Sequence, residues 1–572
     1  MRTERPIVGR AAPEPAVLSM LASLDPLQAR LYACRGVTSA SQLDYGLAGL
    51  VPVSALENID AGVELLLANR DRRVLIIGDF DVDGATSTAL MLRCLHAFGF
   101  NDVGYLVPNR FEYGYGLTPE IVHVAAEQSP ALIVTVDNGV SSVAGVAAAK
   151  RHGIAVLVTD HHLPGAELPA ADVIINPNLS GSTFPSRNLA GVGVAFYLLA
   201  ALGRALEERG QRGARKVPAQ FLDLVALGTV ADVVPLDHNN RILVQQGLNR
   251  IRSGKTVAGI RALLEQSGRQ LARTVSTDLG FVAGPRINAA GRLEDIAVGI
   301  ECLLSDDDYV AQRYARVLDQ INRERRDIEA TMREQAFAYV KSLDRRKWPS
   351  CVCVYEASWH QGVVGLIAAR VREMCHRPVI AFAQESDTLL KGSARSVPGV
   401  HVRDLLEAVS SMHPDLIVRF GGHAMAAGLT IAANHYGRFS DAVAVQLDRL
   451  YPAADFSGAI ISDGVLPESA FELGFAKSLR DAGPWGSGFP EPVWNGDFTV
   501  LEQRTVGEHH LKLRVRPADG GSTLDAIAFN QAGPAYRGVV QLAYRLDVND
   551  FRGVETPQLV VEQIAALHDG IA

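Results

Sequence analysis

The chain has 572 residues, 48% of them hydrophobic and 21% charged, with a net charge of −8 and six cysteines. That is ordinary globular composition, enough for about three to five domains. No apolar run reaches the ~18 residues a membrane span needs, Met1–Pro6 lacks an apolar signal core, and no Cys-x-x-Cys pair occurs, so a cytoplasmic, non-membrane protein with reduced buried thiols is expected.

Residues 73–78 (Arg-Val-Leu-Ile-Ile-Gly) are a short β-branched run, and Gly84 to about Phe98 reads as a helix. A strand is predicted over Asp102–Val107, a helix from Pro119 to about Gln128, and a strand over Ala131–Val136. A helix from Val143 to about His152 and strands over Ile154–Thr159 and Ala171–Ile175 follow. Strands alternating with helices at this spacing predict an α/β fold with a doubly wound, mostly parallel sheet. Leu224–Ala231 reads as the end of a buried helix. Residues 306–342 carry Tyr314, Leu318, Ile321, Ile328 and Met332 at helical spacing without Gly or Pro, which predicts one long connecting helix. Its Arg323, Arg325 and Arg326 face either a phosphate backbone or plain solvent. Cys351 to about Ala433 repeats an α/β pattern. After about residue 455 short alternating strands, such as Leu511–Val515, Ala526–Phe529 and Gln541–Leu546, are separated by Gly/Pro turns and predict a small β-barrel or sandwich.

Four acidic or histidine clusters stand at the ends of apolar runs: Asp79-Phe80-Asp81-Val82-Asp83-Gly84, Asp137-Asn138-Gly139, Asp160-His161-His162 and Ala231-Asp232. Open α/β sheets bind ligands beyond the carboxyl ends of their strands, so the clusters are predicted to converge. Carboxylates and imidazoles are the ligand set for hard or borderline divalent cations. Two such ions side by side clamp the attacking and leaving oxygens of a phosphoryl displacement, which points to a metal-dependent phosphoesterase. Three acids beside an apolar strand end repel one another unless a cation neutralises them. An EF-hand loop fails because no acid stands at its twelfth position. Neighbouring side chains diverge on an extended chain, so His161 is assigned to metal and His162 to phosphate contact or general acid. Ser253-Gly254-Lys255-Thr256 imitates a P-loop tail, but Asn249 replaces the required glycine and no strand precedes it. Pro285–Arg292 and Gly392–Ser396 combine arginines with small residues and read as anion sites. Gly421–Gly428 permits close backbone approach to a ligand.

Together these segments resemble the DHH/DHHA1 phosphoesterase superfamily, and within it the family of single-stranded-DNA-specific exonucleases, over nearly the whole chain. The four clusters are similar to the superfamily motifs, and Gly421–Gly428 to the glycine-rich signature of the DHHA1 domain. Gly483–Gly486 with Pro490–Pro492 is similar to the start of an OB-type domain. The resemblance implies an N-terminal helical segment (1–50), a DHH catalytic domain (51–305), a connecting helix (306–345), a DHHA1 domain (346–452) and an OB-type nucleic-acid-binding barrel (453–572). It implies two Mn²⁺ or Mg²⁺ ions held by Asp81, Asp83, Asp137, His161 and Asp232, with Asp137 bridging. Ile77 stands where many superfamily members carry a histidine, and Asp79 is the residue expected to supply the missing ligand or support its neighbours. Arg286, Ser393 and Arg395 are expected to grip a terminal 5′-phosphate, and Arg110, Asn288 and His423 to contact neighbouring phosphates. The implied activity is 5′-to-3′ hydrolysis of single-stranded DNA to 5′-mononucleotides in recombination and repair, by a monomer. A single-strand-binding protein and a RecQ-type helicase are the implied partners. Trp485, Phe489 and Phe529 are candidate base-stacking platforms. An oligoribonuclease, cyclic-dinucleotide phosphodiesterase or polyphosphatase, or a non-catalytic DNA-binding scaffold, are the alternatives.

Overall fold

The computed structural model describes residues 4–108, 116–343, 348–551 and 553–566. The chain divides into two compact units, one built from Ile7–Asp319 and the chain from Ile461 onward, the other centred on Gln320–Ile460.

In the first unit five parallel strands form the sheet that carries the acidic clusters. They are β1 (Val74–Ile77), β2 (Val103–Leu106), β3 (Leu132–Val136), β4 (Ala155–Thr159) and β5 (Val173–Ile175). β1 and β3 are buried along their whole length, as expected of parallel strands covered on both faces. The order is β2-β1-β3-β4-β5, so the chain leaves β1 toward one edge and returns to lay β3 on its other side. The resulting switch point opens a crevice beyond the carboxyl ends of β1 and β3.

Three helices cross between these strands: α1 (Val82–Ala97), α2 (Pro119–Glu127) and α3 (Val143–Arg151). Two further helices, α4 (Gly191–Glu208) and α5 (Leu222–Ala231), pack on α1. α5 is apolar nearly all round and buried, which is how a helix with no polar face has to sit. The Ser253–Thr256 segment ends a helix: Gly254 takes φ +72° and the Lys255 N–H donates to the Arg250 carbonyl at 3.0 Å. Helix α6 (Gly284–Leu293) follows a single π-helical turn at Leu279–Ala283.

The predicted long helix is α7 (Asp308–Ser342), and the division between the units falls within it. Arg325 is buried and bound to Asn322 and Glu329, so it braces the helix, whereas Arg323 and Arg326 are exposed. The second unit holds a mixed sheet of β6 (Val352–Tyr355), β7 (Val379–Gln384), β8 (Leu389–Arg395), β9 (Arg419–Gly422) and β10 (Ala426–Ala432). Its order is β9-β10-β8-β7-β6, and only β6 and β7 are parallel.

The barrel-or-sandwich expectation resolves as a closed barrel in the first unit. It is made of β11 (Trp494–Val506), β12 (His510–Pro517), β13 (Leu524–Ala528), β14 (Val539–Phe551) and β15 (Val554–Ala566), in the order β11-β12-β13-β15-β14. A parallel pairing of Asp525–Ile527 with Gln558–Val560 closes it, the arrangement of an OB-type barrel. Leu511, Leu513 and Val515 alternate inward along β12, and Leu31 from the N-terminal segment joins the same core. Tyr32 donates to the Ala482 carbonyl at 3.0 Å, and Arg35 pairs with Asp463 at 2.9 Å with both side chains buried. Trp485 and Phe489 are buried against Tyr32 and Arg35: their rings stack 5.2 Å apart, and Trp485 Nε1 donates to the Leu479 carbonyl at 2.9 Å. They therefore offer no face to a base. Phe529, by contrast, is half exposed. No helix among the described residues is long and apolar enough to cross a membrane, and all six cysteines are free thiols.

Candidate metal centre

β1 ends at Ile77, and after Gly78 the chain turns through Asp79–Asp81 into α1. Asp79 is buried and accepts the Phe80 N–H at 2.7 Å. Asp81 caps α1, accepting the Gly84 N–H at 3.1 Å. A side chain on Gly84 is excluded, because its Cβ would stand 2.4 Å from the Asp79 carbonyl oxygen. Asp83 is held from afar. Its two oxygens accept the N–H groups of Gly191 at 2.6 Å and Val192 at 2.9 Å. These belong to the first turn of α4, whose N–H groups have no partner within the helix and whose dipole favours an anion.

Asp137 follows β3 with φ +61°, a left-handed conformation that few residues other than glycine, asparagine and aspartate accept. Beside it, Asn138 Nδ2 donates to the Ile77 and Val136 carbonyls at 3.1 and 2.9 Å, stitching the β1 and β3 ends together. Asp232 caps the C-terminal end of α5.

Asp160 follows β4 and organises both histidines. Its Oδ1 accepts the N–H of His161 at 2.7 Å and of His162 at 3.1 Å, and sits 2.8 Å from His162 Nδ1. Its Oδ2 accepts the Val140 N–H at 2.9 Å. Turning both N–H groups onto one carboxylate takes the chain out of extended geometry. The expected divergence of the two rings is therefore absent, and their centroids lie 4.5 Å apart.

The clusters converge as predicted. His161 Nε2 lies 3.2 Å from Asp137 Oδ1, 3.6 Å from Asp232 Oδ2 and 4.0 Å from Asp83 Oδ2. Three sets each bring their ligand atoms within 4.8 Å of one another: Asp83–His161–Asp232, Asp79–Asp81–Asp137 and Asp137–His161–His162. Burial, reinforced by Asp232, raises the Asp83 carboxyl above its ordinary range. Burial and then the Asp83, Asp81, Asp79 and Asp232 charges raise Asp137. Burial, followed by Asp81, raises Asp232. His161 Nε2 and Asp232 Oδ2 are buried with no hydrogen-bond partner. Buried carboxylates that repel one another, plus an imidazole nitrogen and an oxygen left without donors, are what a pair of divalent cations would satisfy. The donor set of oxygen with one or two imidazoles suits Mn²⁺ or Mg²⁺.

Family models match in three stretches: the N-terminal domain of the DHH family over residues 73–229, the DHHA1 domain over 349–447, and the RecJ OB domain over 462–563. The single-stranded-DNA-specific exonuclease RecJ of Dickeya dadantii is 53% identical over 95% of this chain and 96% of its own length. The chain belongs to the RecJ family. RecJ of Escherichia coli is 49% identical over 95% of this chain and 96% of its own. The crystal structure of RecJ in complex with Mn²⁺ from Thermus thermophilus superposes with a TM-score of 0.80 at 28% identity, covering 99% of this chain and 81% of that one. The corresponding Mg²⁺ complex gives a TM-score of 0.76 at 27% identity, covering 99% and 79%.

The remaining residues singled out from the RecJ-like motifs are placed as follows. Arg286 is buried, with Nε and Nη2 on Asp319 at 3.0 and 2.8 Å and Nη1 donating to the Val282 carbonyl at 2.7 Å. Asn288 Oδ1 accepts the Val82 N–H at 3.2 Å and so steadies the acidic turn from behind. Arg110 lies outside the described residues. Ser393, Arg395 and His423 lie in the other unit. There Arg395 Nη1 donates to Ser393 Oγ at 3.0 Å, and the His423 N–H closes the β9–β10 hairpin on the Ala426 carbonyl at 2.7 Å. Asp160 and Asn138 stood in the clusters read from the sequence but without these individual roles, and Gly191, the seat of Asp83, was not singled out; its local trace is a Gly-Val-Gly at a helix start.

Asp160 holds its neighbours through charge as well as geometry. Burial pushes its carboxyl up, but the His162 hydrogen bond and charge outweigh that and hold it down at about 2. Asp160→Asn keeps the shape and removes the charge. Mn²⁺ affinity is expected to fall about 10- to 100-fold, as for other residues that orient ligands. An unchanged affinity in a calorimetric Mn²⁺ titration removes Asp160 from that role.

Proposed function

We propose that the chain is a metal-dependent exonuclease that hydrolyses single-stranded DNA from its 5′ end and releases 5′-mononucleotides. The observation that carries this reading is the convergence of five carboxylates and two imidazoles at the switch point of the sheet, with buried donor atoms left unsatisfied. Relatives at about half identity bear the name of single-stranded-DNA-specific exonucleases, and the similar Thermus structures hold Mn²⁺ and Mg²⁺.

Asp83, His161 and Asp232 would hold one ion and Asp79, Asp81 and Asp137 the other, with Asp137 between them. Such ions supply an activated water and neutralise charge on the equatorial phosphate oxygens. The chain's own groups do the rest. The α4 amides fix Asp83, and the left-handed turn fixes Asp137, so neither has to reorganise when a phosphodiester arrives. Burial pushes the His162 imidazole down, but the Asp160 hydrogen bond and charge outweigh it and lift it to about 9. Held through Nδ1 on Asp160, His162 is suited to donate to a phosphate oxygen or to the leaving 3′-oxygen. Ser393 and Arg395 are the residues we assign to the terminal phosphate. Arg110, Asn288 and His423 are assigned to its neighbours. The wider role we assign is cytoplasmic DNA recombination and repair by a monomer, alongside a single-strand-binding protein and a RecQ-type helicase.

The test is digestion of a single-stranded oligonucleotide labelled at either end, with a blunt duplex as control and Mn²⁺ or Mg²⁺ supplied. Release of the 5′ label first, resistance of the duplex and arrest by chelator are expected. Equal attack on duplex and single strand, or release from the 3′ end first, sinks the reading.

A further inference from the structure

The π-helical turn at Leu279–Ala283 is wound one residue wider than an α-helix allows, a feature often found at functional sites. It lies against the residues that precede Asp232. A Cβ on Gly280 would stand 3.2 Å from Val230 Cγ1, and one on Gly284 3.2 Å from the Ala231 Cβ. Arg286 braces the turn through the Val282 carbonyl while anchored on Asp319. Leu279 and Ala283 enter the core, but Phe281 stands 75% exposed. Directly after Asp232, Val233 is 66% exposed, and its φ of +65° is a conformation a β-branched residue rarely takes. Two backbone irregularities, on two elements packed together, thus present apolar side chains to solvent beside a candidate ligand carboxylate. Strain of this kind persists only where surrounding structure enforces it, and it gathers at ligand clamps.

We propose that Phe281 is a stacking platform for a nucleobase of the strand whose phosphodiester lies at the metal centre. The proposal rests on the exonuclease reading. A phosphate at Asp232 is tied to each flanking base by a single sugar, so a base falls within reach of the turn. Stacking on a phenyl ring is tolerant of sequence because every base has a π-face, as an enzyme that degrades any strand requires. The ring acts on binding and not on bond breaking.

The experiment is steady-state kinetics of wild type, Phe281→Ala and Phe281→Tyr on a 5′-labelled single strand with Mn²⁺. A companion series of the same oligonucleotide moves one abasic site along the strand. Phe281→Ala is expected to raise KM about five- to 150-fold with kcat nearly unchanged, the range of base–aromatic stacking, while Phe281→Tyr stays near wild type. One abasic position should cost the wild type a similar factor and add nothing in Phe281→Ala, a coupling that a merely structural residue does not produce. Unchanged KM in Phe281→Ala, or abasic penalties that add in full at every position, overturns the stacking role alone. A wild type that leaves the strand intact overturns the exonuclease reading and this one with it.

Discussion

Asp137→Asn is expected to lower single-strand cleavage at least about a thousandfold while raising the stability of the metal-free protein. Both effects come from one position. Asp137 is 2% exposed, sits within ligand distance of two candidate sets, and is pushed toward protonation by burial and by its acidic neighbours. Asparagine keeps the shape and tolerates the φ of +61°, so the turn survives. Removing one of several mutually repelling charges relieves the empty site by about 1–2 kcal/mol. The same change removes the ligand shared between the sets. Saturating Mn²⁺ should stabilise the wild type, by roughly 2.7 kcal/mol at a hundredfold excess over Kd, and should lose most of that increment in the variant. Thermal melts with and without Mn²⁺ decide it. A variant that Mn²⁺ stabilises as much as wild type, or that still cuts, shows that Asp137 is not a shared ligand.

Gly191→Ala is expected to damage the centre without touching a ligand. A methyl there would lie 2.6 Å from both Cβ and Oδ1 of Asp137. The same residue's N–H is the donor to Asp83 Oδ2 at 2.6 Å, so any shift of α4 that relieves the clash loosens Asp83 as well. Alanine at a helix position ordinarily stabilises by up to about 1 kcal/mol relative to glycine. Here overpacking is expected to reverse the sign, to a loss of about 1–3 kcal/mol, and Mn²⁺ affinity to fall about 10- to 100-fold. Calorimetric Mn²⁺ titration and a denaturant melt measure the two. A variant that gains stability and binds Mn²⁺ normally means that the contact is softer than its distances imply.

The parts of the fold that were legible share a physical reason. β1, β3 and β4 are mainly apolar runs because both faces are covered, and each is followed within two residues by an aspartate. Once the alternation of strands and helices implied a parallel sheet, the convergence of Asp79–Asp83, Asp137, Asp160–His162 and Asp232 followed from where such sheets bind ligands. What escaped depends on partners remote in the chain or on local bending. The Asp83 seat on Gly191 spans 108 residues and has no periodic signature. The two histidine rings converge because Asp160 gathers both N–H groups, and a strand-based rule cannot foresee that. Trp485 and Phe489 lie among Gly/Pro turns that read as surface, yet Tyr32, Arg35 and Arg241 cover them. Arg286 looked like a phosphate grip because Asp319, its partner, lies 33 residues further along.

The pairing of Arg35 with Asp463 joins residues 428 positions apart, and Leu31 shares its core with strands beyond Trp494. The unit they belong to is interrupted by the stretch Gln320–Ile460, which owns a separate core. During synthesis the N-terminal helix Pro26–Ala33, which carries Leu31, therefore waits for its core until nearly the whole polypeptide has left the ribosome, while the interrupting stretch already has a core of its own. Losing the last hundred residues would strip the beginning of the chain as surely as its end. A stop ahead of the barrel therefore leaves the interrupting stretch with its own core but the N-terminal segment without the one it shares.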